Sequence, residues 1–255
     1  MNEPVLLCTI DGAVGRLTLN RPQQGNAIDV ALADALMEAA VRLAEDQVVK
    51  VVTLTGNGRL FCAGGDITAF TSGEPGAMIA RITVSLHAAI NRLATMGKPL
   101  ITLVNGPAAG AGLGLAMLGD VVLSASSAHF TSAYTAIGVS PDAGTSWLLP
   151  RLIGLRRAQD MILTNRRVGA DEAQAIGLVT RVVSDEALTK AGDDLAQSFA
   201  TGATAALATA RRLLHRSQCS SLADQLEAEA AGIVAAARSD EATARLSAFL
   251  RMASA

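Results

Sequence analysis

Aromatic residues are scarce in this chain of 255 residues, which holds five Phe, one Tyr and one Trp. The core must therefore be aliphatic and alanine-rich, with little ring-to-ring packing. Cysteine is rarer still: Cys8, Cys62 and Cys219 form an odd, widely spaced set with no C-x-x-C. That excludes a disulfide framework and offers no metal site of the zinc type. Basic residues are scattered, clustering no further than short pairs such as Arg156-Arg157, and the net charge is −2, so there is no footprint for nucleic acid or an anionic membrane. The opening MNEPVLL has no basic stretch ahead of an apolar run, as a secretory signal would need. Apolar runs are cut by Asn, Gly or Asp well short of the ~18 residues that span a bilayer. A cytoplasmic protein is expected. Nucleotide fingerprints are missing too. No Gly-Lys-Ser/Thr occurs, and Leu115 stands where G-x-G-x-x-G would need its last glycine, which argues against a nicotinamide cofactor.

What is present reads as a layered α/β chain. VLLCTI and VGRLTL, joined at Asp11-Gly12, predict a β-hairpin. Asp29 reads as the N-cap of a long helix with Leu32, Leu36, Met37, Ala40 and Leu43 on its apolar face. Strands follow at VKVVTLTG (49–56), LITLV (100–104) and DVVLSAS, separated by a helix over 77–96 and by the small-residue run NGPAAGAGLGLAMLGD, expected as a buried helix. Beyond Val183 only alanine-rich helical pattern remains, expected as three helices with breaks near Gly202, 217–220 and Ser239. Strand, loop and helix thus repeat before a helical tail.

Two glycine clusters follow strands, Ala63-Gly64-Gly65 and Gly110 to Gly114. Glycine lets a ligand approach the backbone, and helix N-termini carry free N–H donors. Two such donors from separate loops would suit an oxyanion hole that polarises a carbonyl such as a thioester. For Gly112 close helix–sheet packing is the better account. Carboxylates are sparse in the same half of the chain. From Asn105 to Asp160 only Asp120, Asp142 and Asp160 occur, and Asp142 stands in the Pro–Gly loop VSPDAGTSW. A loop aspartate is commonly a turn residue, so a structural and a catalytic reading of Asp142 stay open on these grounds.

LNRPQQGNAI (19–28), FCAGGDI (61–67), KPLITLVNGPAAGAGLGLAMLGDVVLSASSAHF (98–130) and the IG…P-D-x-G…LPRLIG run (137–154) resemble the enoyl-CoA hydratase/isomerase (crotonase) family, in order and with its usual spacings. The resemblance covers residues 5 to 185. It implies an α/β fold, a crotonase-type spiral of repeated β-β-α units with a C-terminal helical trimerisation region. An acyl-CoA-binding core over 1–195 and an oligomerisation region over 196–255 would follow, in a homotrimer or a dimer of trimers. It also implies an acyl-CoA thioester substrate, with coenzyme A entering as part of the substrate and no separate cofactor, in reactions of the fatty acid metabolism type. The backbone N–H groups of Gly65 and Ala111 would form the oxyanion hole, and Ala27, Ala63, Asp66 and Ile67 would line the acyl-CoA site. Asp66 would also cap the helix behind Gly65.

Hydratases of this family resemble one another in two glutamates, whose positions here are Gly114 and Tyr134. Water addition needs a base for the water and an acid for the α-carbon, and glycine supplies neither. Ordinary hydratase activity is therefore not expected. Asp142 falls where the isomerases carry their single acid/base carboxylate, which answers the question of the loop aspartate. It is expected to be buried beside an apolar acyl pocket and to shift a 3-enoyl double bond to the 2 position. The same loop resembles 4-chlorobenzoyl-CoA dehalogenase, with Asp142 as nucleophile and His87 as base. Against that, Leu86, Gly65 and Tyr134 stand where that enzyme places ring-gripping residues, and only Tyr134 could stack. His87 alone on a helix reads more readily as a structural or surface residue. A non-catalytic CoA binder is the remaining alternative. Among other residues, Asp120 is expected to tie down a turn, Asp160 to pair with Arg156 or Arg157, and Cys62 to fill core space. His129 and His215 are expected to be structural or surface residues. Arg21 is a candidate for a CoA phosphate, and the segment around 68–80 for acyl selection.

Overall fold

The computed structural model describes residues 3–70 and 74–253, so residues 71–73 of the segment assigned to acyl selection lie outside the described residues. The expected hairpin forms as β1 (Leu6–Asp11) and β2 (Val14–Leu19), antiparallel. Asp29 caps α1 (Val30–Glu45), accepting from the Leu32 N–H at 2.8 Å. β3 (Val51–Gly56), α2 (Ile67–Phe70), α3 (Pro75–Thr95) and β4 (Leu100–Val104) follow. Glu74 caps α3 from just before Pro75, and this pairing of acidic cap and N1 proline suits a helix start.

After β4 the chain makes β5 (Ala108–Ala109), α4 (Ala111–Ala116), β6 (Val121–Ala125), β7 (His129–Thr131), α5 (Thr145–Ile153), α6 (Leu155–Thr164) and β8 (Val168–Gly169). α7 (Ala170–Ala175) and β9 (Arg181–Val183) complete the core. The buried helix expected after β4 is only the short α4, but every one of its residues is buried.

Six strands form one sheet in the order β1-β2-β3-β4-β6-β9, parallel except for the first pair. A second sheet, β5-β7-β8, runs beside it, and isolated bridges Ile28–Gly65 and Cys62–Ala108 carry the same ladder toward the N-terminus. Each turn of the chain thus gives one long strand to the first layer and one very short extended piece to the second. This is the expected spiral of repeated units. The short pieces set the site, because they hold the two glycine loops side by side.

Four helices, not three, close the chain: α8 (Leu188–Thr201), α9 (Thr204–Ser217), α10 (Leu222–Ala237) and α11 (Asp240–Ala253). The expected breaks near Gly202, 217–220 and Ser239 are all present, and three breaks separate four helices. The junction expected at 195/196 falls inside α8, which lies across β3, β4 and β6 with Leu188, Gly192 and Ala196 buried. α9 is pinned by Arg211, which is 5% exposed and donates to the carbonyls of Leu93 and Met96 and to Asp120 Oδ2 at 2.6 Å. α10 has no buried residue. Among the described residues no helix is long and apolar enough to cross a membrane.

Candidate active site

The two glycine loops meet at the head of a cavity of about 960 Å³. Gly64 lies at φ +103°, a conformation that glycine adopts freely, and a Cβ there would sit 2.9 Å from the Ala109 carbonyl and 3.5 Å from the Ala111 nitrogen. This close approach brings the loops together. Their neighbouring amides are committed: Ile28 N–H to Gly64, Asp66 N–H to Ile28, Gly110 N–H to Thr131. Those of Gly65 and Ala111, the second at the first position of α4, have no acceptor among the described residues. Both residues line the cavity. Ala27, Ala63, Asp66 and Ile67 line it too.

Asp66 caps α2 as expected, its Oδ1 accepting from the Thr68 N–H at 3.2 Å and the Thr68 hydroxyl at 2.6 Å. The Thr68 hydroxyl and the Arg21 guanidinium hold its carboxyl below the ordinary range, against the cost of burial. Arg21 is not available to a phosphate. Its guanidinium sits 3.0 Å from Asp29 and 3.1 Å from Asp66 and also donates to the Ala27 carbonyl, so it is neutralised and braces the loop. Cys62 is fully buried, burial pushes its thiol up to about 12, and it acts as core filler.

Asp142 lines the opposite wall. The loop reaches it through two successive left-handed residues, Ala143 (φ +52°) and Gly144 (φ +76°). The Asp142 carbonyl accepts from the Thr145 N–H at 2.9 Å and the Tyr134 hydroxyl at 3.1 Å. Tyr134 is therefore a clamp on this loop as well as a cavity residue, and burial pushes its phenol well above the ordinary range, so it stays a neutral donor. Beneath the loop lies Gly114, where a Cβ would meet the Ala143 carbonyl at 2.4 Å. Gly112 does serve packing, since a Cβ there would meet the Cys62 carbonyl at 2.3 Å.

One expectation of Asp142 needs correction. The Asp142 side chain is not fully buried but 29% exposed, because its carboxyl sits at the cavity rim. His87 is on the surface of α3, 52% exposed, and its Nε2 lies 2.5 Å from Asp142 Oδ1. His87 is not on the cavity wall, whereas Ile79, Ile82, Thr83 and Leu86 of the same helix are. That i, i+3, i+4, i+7 spacing is the sequence signal that could have identified α3 as an acyl-pocket wall. Elsewhere, Asp160 pairs with Arg166 and not with Arg156 or Arg157, because the turn after α6 folds back on the helix. His215 finds an acidic neighbour in Asp120 at 3.4 Å.

A spiral of this kind is the fold of the crotonase class of acyl-CoA enzymes. The pattern of the enoyl-CoA hydratase/isomerase family matches residues 9–252, and the chain belongs to that family. It is 35% identical over 249 residues to the 1,2-epoxyphenylacetyl-CoA isomerase of Escherichia coli (strain K12), covering 96% of this chain and 95% of that protein. It is 32% identical over 239 residues to 4-chlorobenzoyl coenzyme A dehalogenase-2 of an Arthrobacter species, with 92% and 87% covered. The crystal structure of enoyl-CoA hydratase from Bacillus anthracis superposes with a TM-score of 0.92 at 27% identity, covering 97% of this chain and 96% of that one.

Proposed function

We propose that this chain is a single-carboxylate enoyl-CoA isomerase that moves a double bond from the 3 to the 2 position, in straight-chain or ring-bearing acyl groups. One observation carries the reading. Of the two carboxylates on the cavity wall, Asp66 is bound by Arg21 and Thr68, while Asp142 has a single partner, His87, among the described residues. One carboxylate is thus free to move a proton. It takes a proton from C2, leaving the electron pair in a dienolate whose oxygen the Gly65 and Ala111 N–H groups hold. It returns a proton at C4 as the double bond settles at C2. No cofactor is invoked. Hydration would need a second acid/base group, and Gly114 and Tyr134 offer none: the first has no side chain, and the second is a neutral phenol engaged with a carbonyl.

A second reading has one observation in its favour. The short His87–Asp142 contact also suits a dehalogenase-like hydrolase in which Asp142 attacks a ring and His87 activates water. The cavity wall weighs against it. Tyr134 is its one aromatic among the described residues, and a base for ester hydrolysis must reach into the cavity, where His87 is absent. Incubation with 3-enoyl-, 2-enoyl- and 4-chlorobenzoyl-CoA, followed by mass and ultraviolet absorbance, tests both. The isomerase reading expects a new conjugated product of unchanged mass. Chloride loss sinks it in favour of the hydrolase, and binding without turnover in favour of a CoA carrier.

We also infer a trimer or a dimer of trimers. Leu214, Leu222, Leu226, Ile233, Leu246 and Phe249 of the tail are exposed in the single chain, and exposed apolar side chains on neighbouring helices favour a protein partner. A monomer by light scattering at micromolar concentration would end that inference.

A further inference from the structure

We propose that His87 is the proton port of Asp142, exchanging the transferred proton with solvent through the back of the carboxylate. The proposal rests on the isomerase reading. Asp142 faces two ways. It lines the cavity, where bound substrate covers it, and its Oδ1 meets His87 Nε2 at 2.5 Å on the far side. The imidazole is outside the cavity wall and 52% exposed. No other side chain among the described residues bonds the carboxylate. With substrate covering the cavity face and the exposed rim of Asp142, the imidazole offers the carboxyl a route to water.

The exchange balances without a co-reactant. Asp142 takes the C2 proton and becomes a neutral carboxylic acid. In the Nδ1–H tautomer, the Nε2 lone pair of His87 accepts that proton, leaving carboxylate and imidazolium. The exposed imidazolium swings away from the carboxylate, gives its Nε2 hydrogen to water and takes one from water in its place, then returns and delivers that solvent hydrogen from Nε2 to Asp142 before delivery at C4. The net reaction is unchanged, but the hydrogen placed at C4 comes from the solvent and not from C2. His87 acts here through Asp142 and is a positioning and exchange residue, not one that touches substrate.

The test uses 3-enoyl-CoA carrying deuterium in place of both C2 hydrogens, in ordinary water at low conversion, with product mass as the readout. The wild-type product should mostly keep one deuterium. His87→Gln retains a side-chain amide able to reach Asp142 but cannot carry a proton. Its product should keep both deuteriums severalfold more often, and free imidazole in the buffer should lower that retention again. Full retention by the wild type overturns the proposal. So does a slower His87→Gln enzyme with unaltered retention, which would leave His87 a mere support. If the wild type shifts no double bond at all, the functional reading falls and takes the port with it, an outcome distinct from a shift with no dependence on His87.

Discussion

Two aspartates in this molecule each meet a histidine, and their carboxylates are held in different ways. Asp120 is saturated. Its carboxylate accepts from the Leu100 N–H at 2.7 Å, from Arg211 at 2.6 Å and from His215 at 3.4 Å. Burial resists its ionisation, but His215, Arg211 and the Leu100 N–H outweigh that and hold the carboxyl below the ordinary range. Asp142 has its main chain fixed by Thr145 and Tyr134, yet among the described residues its carboxylate has only His87. A carboxylate bound by two fixed donors and a cation has lost its appetite for a proton, and it serves best as a fastener. On the proposed reading, a carboxylate held by its backbone and by a single side chain keeps an oxygen for proton transfer. Counting donors on each carboxylate separates the two roles where burial alone would not.

The sharpest way to break this comparison is to exchange carboxylate for amide at each position. Asp142→Asn should lower turnover by roughly 10²–10⁴, the usual worth of a positioned acid/base group, while leaving CoA-ester binding nearly intact by calorimetry. A variant that shifts double bonds as fast as the parent would remove Asp142 from the chemistry. Ala111→Pro should cost roughly 10²–10³ in turnover. Proline is tolerated at the first position of a helix, so the substitution removes one donor without ending α4. Steady-state kinetics on a variant with unchanged circular dichroism would settle whether that amide is used.

Asp120→Asn should do the converse. Activity per folded molecule should hold, whereas stability to urea should fall by about 3 kcal/mol as the buried Arg211 charge loses its partner. Equal loss of activity per folded molecule would dissolve the distinction between fastener and catalyst. The smallest effect is in pH. Because the folded-state value of Asp120 is depressed, its stabilisation is complete above its unfolded value near ~3.9 and is lost as pH falls through the lower folded value. Hydrogen exchange in α9 should therefore quicken below about pH 4, and Asp120→Asn should blunt that dependence.

The long elements were legible from periodicity and caps: the hairpin at Asp11-Gly12, α1 behind Asp29 and α3 up to Lys98-Pro99. The second sheet was not, because β5 and β8 have two residues each, too few for any alternation to show. At the site, the glycine loops and Asp142 could be picked out by residue type and by family resemblance. The His87–Asp142 contact could not, since it joins residues 55 apart on elements whose approach only the spiral determines. Arg21 misled for a related reason. A lone arginine in a loop suggests an anion, but Asp29 and Asp66 converge on it from different segments. The tail breaks near Gly202, 217–220 and Ser239 were legible, and only the number of helices they separate was undercounted.

On the proposed reading, the contact between Gly114 and Ala143 makes the choice of chemistry a matter of volume. The hydratase glutamate position and the main chain that delivers Asp142 compete for one space, since even a single carbon added at 114 would sit 2.4 Å from the Ala143 carbonyl and 2.8 Å from its Cβ. Restoring a glutamate there would push out the loop that holds the remaining carboxylate, and placing Asp142 as it stands requires the glycine. The second acid/base group therefore cannot simply be added to the first. A path from one chemistry to the other must move loop and helix together, through forms in which neither carboxylate is properly held.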